Sequence, residues 1–143
     1  MQDAQQVAAM FVEAFNRHDE ARMRELNAAD AVLEAPGDVR LQGADAAAQY
    51  AMGWLRAFPD GGMTVRHEHC AGDVVVQEFA FEGNHESPLA GPGGEIPPTH
   101  RHLTGRGVQI LAISDGKIVE TRLYFDQVQI FTQLGVMSEL AAA

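Results

Sequence analysis

Apolar residues recur every three to four positions in the first part of the chain and every second position in the rest. Val7, Phe11 and Phe15 stand at i, i+4 and i+8, with Ala8, Val12 and Ala14 beside them. That is the stripe of an amphipathic helix, and Asp3 with Gln6 three residues later supplies its capping pair. The spacing predicts this helix over about residues 4–17. Asp19 opens a short second helix through Leu26, and AVLEA (31–35) reads as a short strand closed by Pro36-Gly37. A third helix spans 43–58, with Ala47, Tyr50, Ala51, Trp54, Leu55 and Phe58 on one broad face. Pro59-Asp60-Gly61-Gly62 ends it by turn chemistry.

The period then becomes two, and strands are predicted at 63–71, 73–83, 100–114 and 117–127. Ala71-Gly72-Asp73 and Asp115-Gly116 join neighbouring strands as tight hairpins. Between the second and third lies NHESPLAGPGGEIPPTH, a long loop with four of the six prolines, of the kind that rims sites. Residues 128–134 form a short closing helix stopped by Gly135. The fold class is therefore α+β, with three N-terminal helices packed on one face of a mainly antiparallel sheet. Strands this long twist and curl, so sheet and helices together make a cone with an internal cavity.

Composition narrows the function classes. A length of 143 residues fits one domain, 1–143. The formal charge of −10 sets aside nucleic acid and anionic membranes as partners. A single cysteine, Cys70, allows no internal disulfide, and the N-terminus lacks the basic start and apolar run of a signal peptide. Both fit a cytoplasmic location. No segment reaches the roughly 20 apolar residues of a membrane span. There is no P-loop, and GPGGE (91–95) precedes no helix, so no cofactor is implied.

The order of elements, with AFPD (57–60), EFAFEGNHESPL (78–89), GEIPPT (94–99), DGKIVETRLYFDQ (115–127) and QLGV (133–136), resembles the SnoaL-like polyketide cyclase group of the nuclear-transport-factor-2-like superfamily. The resemblance covers nearly the whole chain. It implies a cofactor-free enzyme acting on a hydrophobic, oxygen-bearing small molecule, of cyclase, isomerase or lyase type. It also places the cyclases' last-strand aspartate, their proposed acid/base, on Asp126. The wider superfamily includes epoxide hydrolases and binding domains without catalysis, so both remain open readings.

The candidate residues centre on ETRLYFDQ (120–127). Alternation puts Thr121, Leu123 and Phe125 on one face and Glu120, Arg122, Tyr124 and Asp126 on the other. The polar row is expected to line the cavity, with Asp126 as base or acid and Arg122 and Tyr124 positioning an oxygen. Asp126 equally suits the cap of the helix at 128–134. Glu78, in the apolar stretch VVVQEFAF, reads as a buried acid paired with Arg122. Glu78, Arg122 and Asp126 together resemble the acid–arginine–acid site of limonene epoxide hydrolase. His85 falls in the family's turn at the cavity mouth and is a candidate substrate contact or proton shuttle. Tyr50 and Trp54 are the wall residues most suited to a ligand, because each carries a polar tip. Phe15, Tyr124 and His102 are counted with them as substrate contacts. His67-x-His69 and His100-x-His102 have a metal-ligand spacing, but nothing completes either set, so they read as strand histidines. The convex sheet face, taken to include Leu123 and Phe125, predicts a two-fold homodimer.

Overall fold

The computed structural model describes residues 3–91 and 93–137. Helix α1 (Ala4–Asn16) starts at the Asp3–Gln6 capping box, in which Gln6 N–H donates to Asp3 Oδ1 at 2.8 Å and Asp3 N–H to Gln6 Oε1 at 3.0 Å. Helix α2 (Glu20–Leu26) starts at Asp19, which accepts from Arg22 N–H. Strands β1 (Asn27–Ala35) and β2 (Val39–Gln42) form a hairpin before α3 (Ala44–Ala57). The three expected helices are therefore interrupted by this hairpin, which is longer than the single strand read from AVLEA.

The long strands follow: β3 (Gly62–Ala71), β4 (Val74–Asn84), β7 (His102–Ser114) and β8 (Lys117–Phe125). Within the proline-rich loop, β5 (Leu89–Gly91) and β6 (Gly94–Ile96) pair as a small separate hairpin. Helix α4 (Gln127–Leu134) closes the description, with Gly135 in the left-handed region at its end. Its start limits β8, which ends at Phe125 rather than reaching residue 127.

The main sheet has the order β2-β1-β8-β7-β4-β3. Every pairing is antiparallel except β1 with β8, which is parallel. The architecture is α+β, with a curved, mainly antiparallel sheet. Between Ala112 and Ile113 the register of β7 with β8 shifts, because Ile113 opposes Ile118 while Ala112 opposes Glu120. Val119 is the extra residue of a bulge. Ile118, which is fully buried, and Thr121, Leu123 and Phe125 thereby point to the same concave side. On β7 the same side carries Gly107, Gln109 and Leu111. A Cβ on Gly107 would lie 2.6 Å from the Phe79 ring and 2.8 Å from the Tyr124 carbonyl oxygen, so this position tolerates no side chain.

Two apolar clusters follow from this geometry. The smaller joins Val7 and Ala8 of α1 to Val75, Leu111, Ile113 and Ile118 at one end of the sheet. The larger joins α1, α2 and α3 to the concave face and to α4. The larger one is not filled completely, and the space left in it is the site.

Candidate functional site

A cavity of about 80 Å³ lies between α3 and the concave face of the sheet. Its wall is largely aromatic, with Phe11, Phe15, Tyr50, Trp54, Phe79 and Phe81 all lining it. Trp54 is the hub: its ring meets Phe125 edge-on at 5.4 Å, Phe81 edge-on at 6.0 Å, and Phe58 in a stacked arrangement at 6.2 Å. Tyr50, Trp54 and Phe125 also line an outer, more open groove. That groove is bordered by the Pro36-Gly37 turn, by Phe131 of α4 and by Leu89 and Glu95 of the β5–β6 hairpin. The inner chamber thus opens past Trp54 into a wider mouth.

The buried polar groups of the inner chamber are neutral, and Arg106 of β7, an exposed residue between the inward Gly105 and Gly107, is the charged residue at its lining among the described residues. Asn27 and Gln109 are almost fully buried, and Thr121 and Tyr50 are partly buried. Burial pushes the Tyr50 phenol above its usual range, and the nearby Trp54 indole opposes this weakly. That indole lies close without forming a hydrogen bond of normal geometry. No Asp, Glu or His is among the described residues that line the inner chamber.

This corrects the expected orientation of β8. Thr121, Leu123 and Phe125 face the chamber, and Glu120, Arg122 and Tyr124 face away. Tyr124 is 54% exposed. The physical reason is ordinary: the apolar row gains more from burial than the polar row does. Asp126 lies outside the chamber and caps α4, its carboxylate accepting from Gln129 N–H at 3.1 Å. Arg122 is paired with Glu120, two residues back on the same face. Glu78 is exposed on the convex face, opposite His67 and Val108. Glu78, Arg122 and Asp126 therefore do not converge on a common site, and none of them lines the chamber.

His85 is fully buried, but not in the chamber wall. Its Nδ1 accepts from Thr99 N–H at 3.1 Å and lies 2.9 Å from Thr99 Oγ1, and its ring stacks on Phe58 at 5.3 Å. Its Nε2 has no hydrogen-bond partner among the described residues. Burial lowers its basicity, against a weak opposing pull from the Ser87 backbone that falls short of hydrogen-bonding geometry. Its own main chain bonds Arg101 and His100, so it fastens the proline-rich loop to the start of β7. His102 is exposed between Glu82 Oε1 at 2.8 Å and Asn84 Oδ1 at 3.0 Å, beside a separate shallow groove. Neither histidine meets the inner chamber, whereas Phe15, Tyr50 and Trp54 line it. Among the described residues no group of three or more His, Cys, Asp or Glu side chains is placed to hold a metal ion.

Sequence reasoning missed Asn27, Gln109, Thr121, Leu123 and Phe125. A signal for Gln109 existed. In GVQILAI it interrupts an inward row that is otherwise Gly107, Leu111 and Ile113, as Gln77 does between Val75 and Phe79. Polar residues that break an apolar row were more informative than a polar row as such.

Among solved structures, the candidate polyketide cyclase IdmH from Streptomyces antibioticus is 28% identical, with a TM-score of 0.79, over 94% of this chain and 100% of that one. The candidate hydroxylase AclR from Streptomyces galilaeus is 24% identical, with a TM-score of 0.79, over 94% of this chain and 96% of that one. An LEH-like epoxide hydrolase of M. tuberculosis is 19% identical, with a TM-score of 0.67, over 98% and 96% of the two chains. The last two likenesses show the fold alone. No curated protein matches the chain in sequence. The family model for the SnoaL-like polyketide cyclases matches residues 5–134, and the chain belongs to that family.

Proposed function

We propose that this chain encloses a mostly apolar, oxygen-bearing small molecule in the chamber behind Trp54 and holds it with neutral hydrogen-bonding groups. The observation that carries this reading is the inward row of β8, Thr121, Leu123 and Phe125, which brings no carboxylate to the cavity. Family membership and the likeness to IdmH support a small-molecule role. Binding is the base of the proposal. Any turnover would come from confinement of a flexible substrate near its reactive geometry, with the Tyr50 hydroxyl donating to a substrate oxygen or Gln109 Oε1 accepting from a substrate hydroxyl. Asp126 caps α4 outside the chamber and does not converge with Glu78 and Arg122, so this arrangement supports binding better than acid/base chemistry through Asp126 or epoxide opening through the three.

Native mass spectrometry of the purified protein identifies what the chamber carries. The affinity for that compound, if it is itself neutral, and any turnover of it, are then measured from pH 5 to pH 8. With no Asp, Glu or His among the described chamber residues, both should be flat across that range. An acid limb that disappears in Asp126→Asn or Glu78→Gln would overturn the reading.

We also propose that two copies associate through the convex sheet face. Leu123 and Phe125, expected there, face the chamber instead. Their place is taken by Val76 of β4, Val108 and Ile110 of β7 and Tyr124 of β8, which adjoin one another in the ladder. A half-exposed aromatic beside β-branched residues, with Glu78 and Arg122 interleaved in the same ladder, is the mixed apolar and charged patch that the second copy would cover.

A further inference from the structure

Two buried amides in the chamber have their orientations fixed by groups that can only accept hydrogen bonds. Asn27 Nδ2 donates to the Met23 main-chain carbonyl at 2.8 Å. A carbonyl cannot donate, so the amide cannot be turned round. Gln109 is fixed through a relay. Gln77 Nε2 donates to Glu68 Oε2 at 3.1 Å, and Gln109 Nε2 donates to Gln77 Oε1 at 2.8 Å. The Glu68 carboxylate only accepts, so Gln77 must present its oxygen to Gln109, and Gln109 must present its nitrogen to Gln77. The remaining Gln109 N–H is directed to Met63 Sδ at 3.8 Å. Gln109 Oε1 and Asn27 Oδ1 are left without hydrogen bonds among the described residues, on side chains 3% and 6% exposed that line the chamber. Neither oxygen is sealed in the protein interior, so each reaches the cavity surface.

Resting on the proposed ligand-binding role, we propose that the chamber selects an alicyclic or aromatic alcohol, phenol or other hydrogen-bond donor over the matching ketone or ether. Gln109 and Asn27 are the acceptors, and Glu68 is a positioning residue outside the chamber. A ligand with only carbonyl oxygens would leave both acceptors dry and unpaired. Rejection of an analogue that strands buried polar groups is stronger than rejection by shape.

The experiment compares the bicyclic alcohol decalol with its ketone decalone by calorimetry, with the fluorescence of Trp54, the single tryptophan, as a second readout of occupancy. Decalol is expected to bind about tenfold more tightly than decalone. Gln109→Met should bring the two within about threefold of each other. Glu68→Gln should do the same without touching the chamber, because the new amide can accept or donate and lets Gln77 and Gln109 turn. A merely structural role for Glu68 would weaken both compounds together and leave their ratio intact, which would overturn the relay. Equal binding of both compounds to the unaltered protein refutes the donor preference but leaves the chamber as a ligand site. Failure of both to bind, with Trp54 unperturbed, refutes the ligand-site reading and this inference with it.

Discussion

On its concave side β8 presents Thr121, Leu123 and Phe125 to the chamber, while on its convex side the same strand presents Glu120, Arg122 and Tyr124. The bulge at Val119 sets this phase for the last part of the strand. Neighbouring residues thus differ by a whole environment. The convex row holds charges near water: Arg122 pairs with Glu120 on its own strand, and Glu34, its ladder neighbour on β1, pairs with Arg40. The concave row holds a hydroxyl, a leucine and a phenylalanine against Trp54. Acid/base chemistry needs a charged group in the second setting, and this strand keeps its charged groups in the first. A polar row beside an apolar row is better read as surface unless something holds it inside.

The largest expected effect tests this contrast directly. Leu123→Asp puts a carboxylate into the aromatic chamber, and Tyr124→Asp puts one onto the exposed face one residue away. The first should cost about 2–4 kcal/mol of folding stability in denaturant titration, and the second less than about 1 kcal/mol for the monomer. The pH dependence sharpens the comparison. Burial raises the folded-state pKa of Asp at position 123, so the protonated form is tolerated and the cost grows as pH rises above the usual carboxylate range. The gap between the two variants should therefore narrow near pH 4. A larger cost for Tyr124→Asp at pH 7 would mean that the two faces have been assigned in reverse, and equal costs would mean that they do not differ in environment.

The next effect concerns assembly. If the convex face is covered by a second copy, light scattering at tens of micromolar gives twice the chain mass of 15.5 kDa. Tyr124→Asp should then raise the dimer dissociation constant at least about tenfold, since aromatic anchors dominate such faces. Leu123→Ala, on the chamber side, should leave the dimer unchanged. A monomer at that concentration in the unaltered protein sinks the proposal.

The fold was legible because its signals are local and mutually consistent. The Asp3–Gln6 pair, the Asp19 cap, the Asp115-Gly116 hairpin and the Gly135 stop all act within a few residues, and each is found as read. The β1–β2 hairpin is local, with Ala35 opposite Val39, but its second strand has only four residues and was missed. The parallel β1–β8 pairing was not legible because its partners, such as Leu33 and Thr121, lie far apart in sequence. The aromatic wall at Tyr50 and Trp54 followed from the helical spacing of α3. The polar interior did not. Deciding which row of β8 faces in needs the bulge at Val119 and the curvature of the whole sheet, and neither is written in ETRLYFDQ. Glu78 failed for a related reason: in VVVQEFAF the inward polar residue is its neighbour Gln77.

A smaller effect separates the cap from the catalyst. Asp126→Ala removes the acceptor for Gln129 N–H and should cost about 1 kcal/mol through α4. Asp126→Asn keeps a side-chain oxygen for the cap and should cost a few tenths of that. Both variants should bind a chamber ligand as the unaltered protein does, within about twofold, because α4's cap does not touch the inner cavity. A tenfold loss of turnover in Asp126→Asn with normal stability would restore the acid/base role.

The smallest effect belongs to His85. Burial disfavours its charged form, so its folded pKa lies below its unfolded value of about 6.5. The unfolded chain then binds more protons than the folded one between those two values, and stability rises with pH across that window. The contribution is complete above about pH 6.5 and is lost as the pH falls through the folded pKa. Glu86 and His100 lie near enough to modulate it, the first favouring and the second opposing the charged ring. His85→Gln keeps an oxygen able to accept from Thr99 N–H, as Nδ1 does now, while removing the titration. Its stability should therefore fall less steeply than that of the unaltered protein between pH 7 and pH 5, whatever its absolute value. Parallel curves would show that the ring does not change its protonation on unfolding in that range. A steeper fall in the variant would mean that the buried ring is held charged.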